Sequence, residues 1–405
     1  MQNKYPTKKE AVKMLFKKWN IQTETEIVSI DDSVNRISAE KVYSVNTLPV
    51  VRSSKMDGVA TNSKYFKNGM PNTSKWKKGV EYERADTGDD FPDKYDMVIQ
   101  IEAVELLEDG GIEIDDEILE EIKPGMGVNP SGRTVKKGDL ILDSNMRIRP
   151  HNLAALAIGG AYFIKVYKKP RVAFIPTGSE LISEGVVPSR GENTDSNSLM
   201  IKHMLIEMGA EPVMFPIVKD VSGDLENALD RALEIADIAV INGGSSKGEE
   251  DLNTELIRRK GALIQHGAAA GPGRPIGIGI IENKPVINLP GPNIAAFYGA
   301  EWCLKEIVSK YYSLNPCTRE QIKAVLQEDF TGPEHMSFLS KMVIKKDSEG
   351  NYLAYPRKHT SCSAIEAASG NAYFILPIGE DFLPKGTEIE VQLLVNKSDI
   401  RFCEE

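Results

Sequence analysis

Three glycine-containing loops carry much of the chemistry that this sequence can support. Each loop follows a short apolar run, at residues 176–181 (PTGSEL), 242–251 (NGGSSKGEED) and 289–293 (LPGPN). Glycine lets the backbone approach a ligand closely, and the N–H groups at a helix start attract phosphate. We interpret the three loops as one ligand crevice, although each could also be an ordinary turn. None has the spacing of a Walker A loop or of a dinucleotide-binding fingerprint.

Carboxylates accompany these loops at Glu180, Asp220, Glu249, Glu250 and Asp251. A carboxylate beside a phosphate repels it unless a cation lies between them. Mg²⁺, held by one or two carboxylates and by phosphate oxygens, meets that need. Asp220 and Asp251 each precede a helical pattern, so a helix cap is the alternative role for both. The sequence leaves both roles open.

A further glycine-rich segment, residues 267–279 (GAAAGPGRPIGIG), carries a single cation, Arg274. The forked guanidinium is suited to phosphate or another oxyanion, and a surface arginine in a turn is the alternative. Residues 53–60 (SSKMDGVA) and 84–88 (RADTG) each place an acid close to a glycine. Taken alone, these two segments indicate β-turns.

The composition limits the classes of protein to which the chain can belong. Of 405 residues, 41% are hydrophobic and 27% are charged, a globular mixture that excludes disorder and collagen-like repeats. A net charge of −10 argues against nucleic acid as a partner, because phosphate contacts need a basic surface. The apolar runs are too short for a membrane span. The cysteines and histidines are scattered, so we expect free thiols in a reducing cytoplasm and no zinc site.

The elements that must position these loops follow from hydrophobic periodicity. Thr7 and Glu10 form a capping box ahead of an amphipathic helix. From residue 171 onward, strands alternate with helices, which predicts a mostly parallel sheet covered on both faces. Turn-rich runs at residues 46–138 and β-like runs after residue 317 predict smaller β-rich units. The predicted strands are residues 172–175, 213–218, 238–241, 276–280 and 286–289, and the predicted helices are residues 199–208, 225–236, 252–260 and 294–310.

Taken together, these segments resemble the molybdopterin molybdenumtransferase family, which includes the gephyrin E domain. The order and spacing of the pieces are more specific than any single piece, and they cover nearly the whole chain. The matching pieces are residues 53–60, 85–102 (ADTGDDFPDKYDMVIQIE), 176–181, 195–200 (DSNSLM), 243–251, 266–277 (HGAAAGPGRPIG) and 289–296 (LPGPNIAA), and the tail 374–391 is also similar.

The resemblance implies a multidomain α/β plus β protein with four domains. Its centre is a three-layer, molybdopterin-binding α/β domain with a mostly parallel sheet, residues 169–316. Small β-rich domains flank it, one inserted at residues 46–138 and one, β-barrel-like, at residues 317–405. Residues 1–45 and 139–168 form an elongated N-terminal α/β segment that links the others.

The reaction that the resemblance implies is a Mg²⁺-dependent insertion of molybdate into adenylylated molybdopterin, with release of AMP, by a cytoplasmic homodimer. Candidate partners are the molybdopterin adenylyltransferase and client molybdoenzymes, with neither nucleic acid nor a membrane involved. The expected catalytic residues are Asp57, Thr87, Glu180, Asp220 and Asp251, of which Glu180, Asp220 and Asp251 would hold the metal. The expected cofactor-binding residues are Thr177, Gly178, Asp195, Asn197, Gly243, Gly244, Ser246, Gly248, Pro272, Gly273, Arg274, Pro290, Gly291 and Asn293.

The sequence also departs from the family's pattern. The surviving carboxylates favour the enzyme, whereas the lost charges favour the alternative, a non-catalytic carrier of molybdopterin or of the finished cofactor. A scaffold role has kinship as its sole support, and the sequence does not distinguish molybdate from tungstate. The departures are Arg133-Thr134 after Gly132 in place of an acidic pair, Gly271 and Arg274 in place of two lysines, Pro292-Asn293 in reversed order, and Ser179 in place of an acid.

Overall fold

The computed structural model describes residues 5–219, 222–243, 252–357, 368 and 370–403. The chain divides into two compact units, one of Thr25–Tyr167 and one of Met1–Glu24 with Lys168–Glu405. The first 24 residues share most of their contacts with the later part of the chain. The fold is mixed α/β and rich in strands. Across the described residues, no helix is long and apolar enough to span a membrane.

The first helix begins as the sequence predicts. The Thr7 hydroxyl accepts from the Glu10 N–H at 3.3 Å, and the Thr7 N–H donates to the Glu10 carboxylate at 2.8 Å, which confirms the capping box. Ala11, Val12 and Leu15 are its buried face. The α-helices of the described residues are α1 (Lys8–Phe16), α2 (Pro150–Ile158), α3 (Asn197–Met208), α4 (Ser222–Ile235), α5 (Leu252–Lys260), α6 (Asn293–Gly299) and α7 (Lys305–Tyr311).

The unit Thr25–Tyr167 is built from short antiparallel strands. Its main core lies on one side of a three-stranded sheet in which β4 pairs with both β5 and β6. In a second region β1 pairs with β11, and α2 packs against β10. The strands are β1 (Thr25–Ser29), β2 (Val42–Tyr43), β3 (Ser53–Ser54), β4 (Gly58–Thr61), β5 (Tyr82–Ala85), β6 (Met97–Gln100), β7 (Val104–Leu106), β8 (Ile112–Ile114), β9 (Val128–Asn129), β10 (Leu140–Leu142) and β11 (Phe163–Tyr167).

The second unit contains a six-stranded sheet whose strand order is β15-β12-β16-β20-β19-β17. Strands β15, β12, β16 and β20 run parallel, and β19 runs antiparallel to β20 and β17. One face of β12 and β16 packs against α4 and α5, with Leu229 and Ala232 at 0% exposure. These strands are β12 (Arg171–Pro176), β13 (Leu181–Ile182), β14 (Asn193–Thr194), β15 (Glu211–Met214), β16 (Ile238–Asn242), β17 (Ala262–His266), β18 (Ala270–Gly271), β19 (Gly277–Ile281) and β20 (Lys284–Leu289).

The last part of the same unit is a β-sheet with its own apolar core. The pairings run β23-β24-β21-β27-β25 and return to β23, so these strands form a closed ring. The short strand β18 from the α/β part joins this sheet by pairing with β23. The strands are β21 (Gln321–Leu326), β22 (Phe330–Thr331), β23 (Ser337–Lys346), β24 (Tyr352–Pro356), β25 (Ala372–Leu376), β26 (Phe382–Leu383) and β27 (Glu388–Leu393).

One predicted strand is shorter in the structure, and one predicted helix is present with a π-helical turn inside it. The strand predicted at residues 213–218 is β15, which ends at Met214, and Val218 forms an isolated bridge with Thr177. Pro216, which has no N–H to donate, lies between the strand and this bridge. The single helix predicted at residues 294–310 is α6 and α7 joined by a π-helical turn, Ala300–Leu304. By contrast, α3 ends before Gly209, which has the left-handed φ of 92° that a glycine cap supplies.

Gly58 provides a test of the packing in the first unit. An ideal Cβ at Gly58 would lie 1.9 Å from the Ile99 carbonyl oxygen of the neighbouring strand. We expect Gly58→Ala to destabilise the protein by about 3 kcal/mol, because β4 and β6 must separate to admit the methyl group. Chemical denaturation measures this. The control is Gly223→Ala, where a Cβ has nothing within 4 Å. Equal stabilities of the two variants would contradict the close approach.

Candidate functional site

The connections of the α/β sheet locate its ligand crevice. From β12 the chain passes through α3 to β15 on one side, and from β15 it returns through α4 to β16 on the other side of β12. The strand order therefore reverses between β12 and β16. Ligands of open α/β sheets bind at such a switch point, outside the carboxyl ends of the strands. The predicted loops follow β12, β16 and the adjacent β20.

Two glycines bring the loops after β12 and β16 together. Gly243 has a φ of 131°, and a Cβ there would lie 2.3 Å from the Thr177 carbonyl oxygen. The Thr177 N–H donates to the Asn242 carbonyl at 2.8 Å. A Cβ at Gly178 would lie 2.9 Å from both carboxylate oxygens of Glu180. Glycine lets these loops pack closely at Gly178 and Gly243, both of which are buried, and it leaves exposed backbone at Gly291 in the loop after β20.

Buried amides hold the floor of this crevice in place. Asn242 donates from Nδ2 to the Pro290 carbonyl at 2.8 Å, and its Oδ1 accepts from Asn197 at 2.9 Å. Asn197 also donates to the Gly291 carbonyl at 2.7 Å. Asn293 donates to the Asn197 Oδ1 at 3.2 Å. The structure thus brings together four of the predicted binding positions, at the start of α3 and in the loop that leads into α6.

Asp195, a predicted cofactor-binding residue, is buried and does not face an open ligand site. Its side chain is 6% exposed, and its two oxygens accept from the N–H and the hydroxyl of Ser198. These bonds satisfy donors at the N-terminus of α3. Asp195 therefore positions the helix that carries Asn197.

The carboxylate of Glu180 is exposed and lies over the Gly178 backbone. Among the residues that the structure describes, no side chain pairs with it. The predicted Asp220, Asp251, Gly244, Ser246 and Gly248 lie outside the described residues. Within the part of the chain that is described, no three His, Cys, Asp or Glu side chains are grouped to hold a metal. An unpaired oxygen donor beside a glycine loop has the chemistry that Mg²⁺ prefers.

The segment with Pro272, Gly273 and Arg274 lies against α6. A Cβ at Gly273, whose φ is 108°, would lie 3.2 Å from the Ala295 carbonyl oxygen. Arg274 is exposed, and its guanidinium carbon lies 5.5 Å from the centre of the Tyr5 ring. This segment and the loop that leads into α6 therefore meet at the same helix.

Asp57 and Thr87 form a direct contact in the unit Thr25–Tyr167. The Asp57 carboxylate accepts from the Thr87 N–H and from the Thr87 hydroxyl, both at 2.7 Å. The backbone hydrogen bond first, and then the hydroxyl, lower the pKa of Asp57 below its ordinary value. The segments with SSKMDG and ADTG are thus neighbours, and Asp57 is an exposed, ionised acid.

Sequence reasoning missed the residues that support the crevice. Asn242 ends a buried strand, and its position just before Gly243 is a signal that could have singled it out. Asn253 donates to the Gly243 carbonyl and to Asn288, both at 3.0 Å, and nothing in its local sequence announces this. Tyr5 also shows no local signal, because its partner Arg274 is remote in the chain.

Fold and site define a multidomain protein whose α/β sheet has its glycine-containing loops at a topological switch point. The profile of the MoeA N-terminal region (domain I and II) matches residues 7–160, and that of the "Probable molybdopterin binding domain" matches residues 173–310. The chain belongs to the molybdopterin molybdenumtransferase (MoeA) family.

Individual relatives agree with this assignment. The chain is 28% identical to the molybdopterin molybdenumtransferase of Haemophilus influenzae, over 80% of this chain and 79% of that one. It is 26% identical to the protein of the same name from Bacillus subtilis, over 92% and 90%. A crystal structure of the molybdopterin biosynthesis moea protein from Pyrococcus horikosii superposes with a TM-score of 0.80 at 26% identity, covering 97% of this chain and all 100% of that one.

The Asp57–Thr87 contact predicts a pH effect. Thr87→Val removes the hydroxyl bond but keeps the backbone N–H, so the pKa of Asp57 should rise part of the way to its ordinary value. Because the folded pKa is depressed, the contact stabilises the protein above the ordinary pKa of Asp and is lost as the pH falls through the depressed value. Carboxyl NMR titration of Asp57 measures the shift. Thr87→Ser is the control, and an unshifted Thr87→Val would contradict the contact.

Proposed function

We propose that this protein inserts molybdate into adenylylated molybdopterin and releases AMP. The observation that carries the proposal is the glycine-lined crevice at the switch point, in a chain of the molybdopterin molybdenumtransferase family. Relatives that cover most of the chain carry the name of this activity. The same domain carries the exposed guanidinium of Arg274, which suits the phosphate of an adenylate.

The chain's own residues have separable roles in this proposal. Thr177, Gly178 and Gly243 pack closely beneath the ligand, and Gly291 presents exposed backbone to it. The Asn242 and Asn197 amides hold the wall at Pro290 and Gly291 in place. The wall is fixed before the ligand arrives, so little ordering is needed on binding.

We propose Mg²⁺ as the metal, held by Glu180, Asp220 and Asp251. The carboxylate of Glu180 lies beside Gly178 without a side-chain partner among the described residues, and this supports the choice. When bound, Mg²⁺ would neutralise phosphate charge and polarise the phosphorus–oxygen bonds of the adenylate. Arg274 would bind an oxyanion through its forked N–H groups.

The finer architecture also belongs to the proposal. A three-layer α/β domain is supported by α3 and α4, both of which contact β12. A barrel-like domain at residues 317–405 is supported by the closed ring of strands. We keep the linker domain of residues 1–45 and 139–168, the inserted domain of residues 46–138 and a cytoplasmic location as proposals. The molybdopterin adenylyltransferase and client molybdoenzymes remain the proposed partners.

A homodimer is supported by apolar side chains on the surface of the unit Thr25–Tyr167. On the ribbon of β1 and β11, Ile27 and Phe163 lie on the same face and are each 72% exposed. Tyr43 and Leu140 face each other across β2 and β10 and are 50% and 47% exposed. Clusters of exposed apolar side chains are typical of interaction surfaces.

The reaction is tested with adenylylated molybdopterin, Mg²⁺ and molybdate, by measuring AMP and metal-loaded pterin. Asp251→Asn removes the charge of a proposed ligand, yet asparagine is an equally good helix cap for α5, which begins at Leu252. We expect Asp251→Asn to slow AMP release at least about 100-fold with unchanged stability. The two remaining proposed ligands, Glu180 and Asp220, would not replace the negative charge that the metal loses. Full activity of this variant would remove the metal role and leave the cap. A wild-type protein that binds the pterin without turnover would instead be the carrier.

The dimer is tested by complementation. In the proposed dimer Asp57 of one protomer serves the crevice of its partner. A heterodimer of Asp57→Ala and Asp251→Ala chains then has one intact site, and about half of the wild-type activity should return. The heterodimer is isolated with two different tags, and each variant homodimer is the control. An inactive heterodimer of verified composition would contradict shared sites.

A further inference from the structure

Position 271 has no room for a long side chain. A Cβ at Gly271 would lie 2.5 Å from the Met336 sulfur and 2.9 Å from Cδ2 of Phe338. Phe338 belongs to β23 and pairs with Gly271, and Met336 immediately precedes the same strand. The apolar side chains thus occupy the space beside Gly271, and Arg274 is the sole cation in the sequence of residues 267–279. Any anion at this segment depends on where the Arg274 guanidinium points.

Tyr5 lies between Arg274 and the glycine-rich backbone. The guanidinium carbon of Arg274 is 5.5 Å from the centre of the Tyr5 ring. On the other side, a Cβ at Gly267 would lie 2.5 Å from the ring, so the ring rests directly on the Gly267 backbone. A guanidinium over an aromatic face is held by its charge and keeps its N–H edge free for an oxyanion.

The chain around Tyr5 is fixed by several bonds to the same region. The Pro6 carbonyl accepts from the Ala269 N–H at 2.8 Å. Lys8 donates from Nζ to the Tyr298 hydroxyl at 2.7 Å, and burial lowers the pKa of Lys8 to about 8. Tyr298 belongs to α6, against which Gly273 packs. Tyr5 is therefore anchored beside the segment that it contacts.

We propose that Tyr5 is a positioning residue that orients the Arg274 guanidinium toward the anionic part of the substrate. The proposal rests on the proposed function for the identity of that anion, an adenylate phosphate or molybdate. Tyr5 itself does not touch the ligand. It narrows the directions that the exposed arginine samples, and so it acts on binding and not on the chemical step.

The test compares Tyr5→Ala, Tyr5→Phe, Arg274→Ala and the double variant Tyr5→Ala/Arg274→Ala. Two quantities are measured at fixed salt: the KM for adenylylated molybdopterin against kcat, and the Kd of AMP by calorimetry. We expect Tyr5→Ala to weaken binding about two- to five-fold at unchanged kcat. Tyr5→Phe keeps the ring and should bind like wild type. In the Arg274→Ala background, Tyr5→Ala should have no further effect.

Phe16→Ala is the matched control for loosening of the N-terminal segment. Phe16 is the last residue of α1, and its ring contacts Lys310 and not Arg274. This variant should therefore leave KM unchanged. The proposal is overturned if Tyr5→Ala weakens binding equally with and without Arg274, or if Phe16→Ala reproduces its effect. It is also overturned if Arg274→Ala weakens binding and Tyr5→Ala does not. If the wild type binds AMP but does not cleave the adenylylated pterin, the proposed function is wrong. The Kd of AMP for the Tyr5 and Arg274 variants still tests the role of Tyr5 in that case.

Discussion

Asn242 ends the central strand β16, and its buried amide joins the loop after β20 to the start of α3. Its Nδ2 donates to the Pro290 carbonyl at 2.8 Å, and its Oδ1 accepts from Asn197 at 2.9 Å. A buried carbonyl left without a donor costs about 1–3 kcal/mol. Asparagine offers a donor and an acceptor on one short side chain. The shape of the crevice depends on this amide. Without it, the Pro290 carbonyl would lose a donor and the Asn197 amide would lose an acceptor.

The same device recurs one strand away and makes the switch point rigid. Asn253, near the start of α5, bonds to Asn288 in β20 and to the Gly243 carbonyl, each at 3.0 Å. In both cases a helix start is linked by an amide to the carboxyl end of a strand. Gly243 lies beside these links and packs directly against the Thr177 backbone. The amide bonds hold the loops apart elsewhere, so the crevice keeps its shape. The amide bond to the Gly291 carbonyl leaves an exposed glycine fixed at the edge where the ligands of α/β sheets bind.

Local features of the sequence were sufficient for much of the fold. The capping box of α1, the glycine cap of α3 and the bounds of α5 depend on neighbouring residues, and the structure confirms them. The interruption of the helix after Gly299, the strand β17 and the amide links were not predictable in this way. They arise from packing between segments far apart in the chain. The same holds for Tyr5 and Arg274, whose contact joins opposite parts of the sequence.

Two of the departures from the family pattern, Gly271 and Arg274, lie in one segment of the structure. Where the family carries a lysine, Gly271 is enclosed by Met336 and Phe338, so a single restoring substitution would collide with both. The remaining cation, Arg274, is stacked on an anchored ring. The sequence places four carboxylates in the crevice loops, Glu180, Glu249, Glu250 and Asp251, against two cations, Lys247 in the same loops and Arg274 in the neighbouring segment. Coulomb repulsion therefore opposes an anionic substrate until a divalent cation is present. The proposed Mg²⁺ would in this way serve binding as well as chemistry.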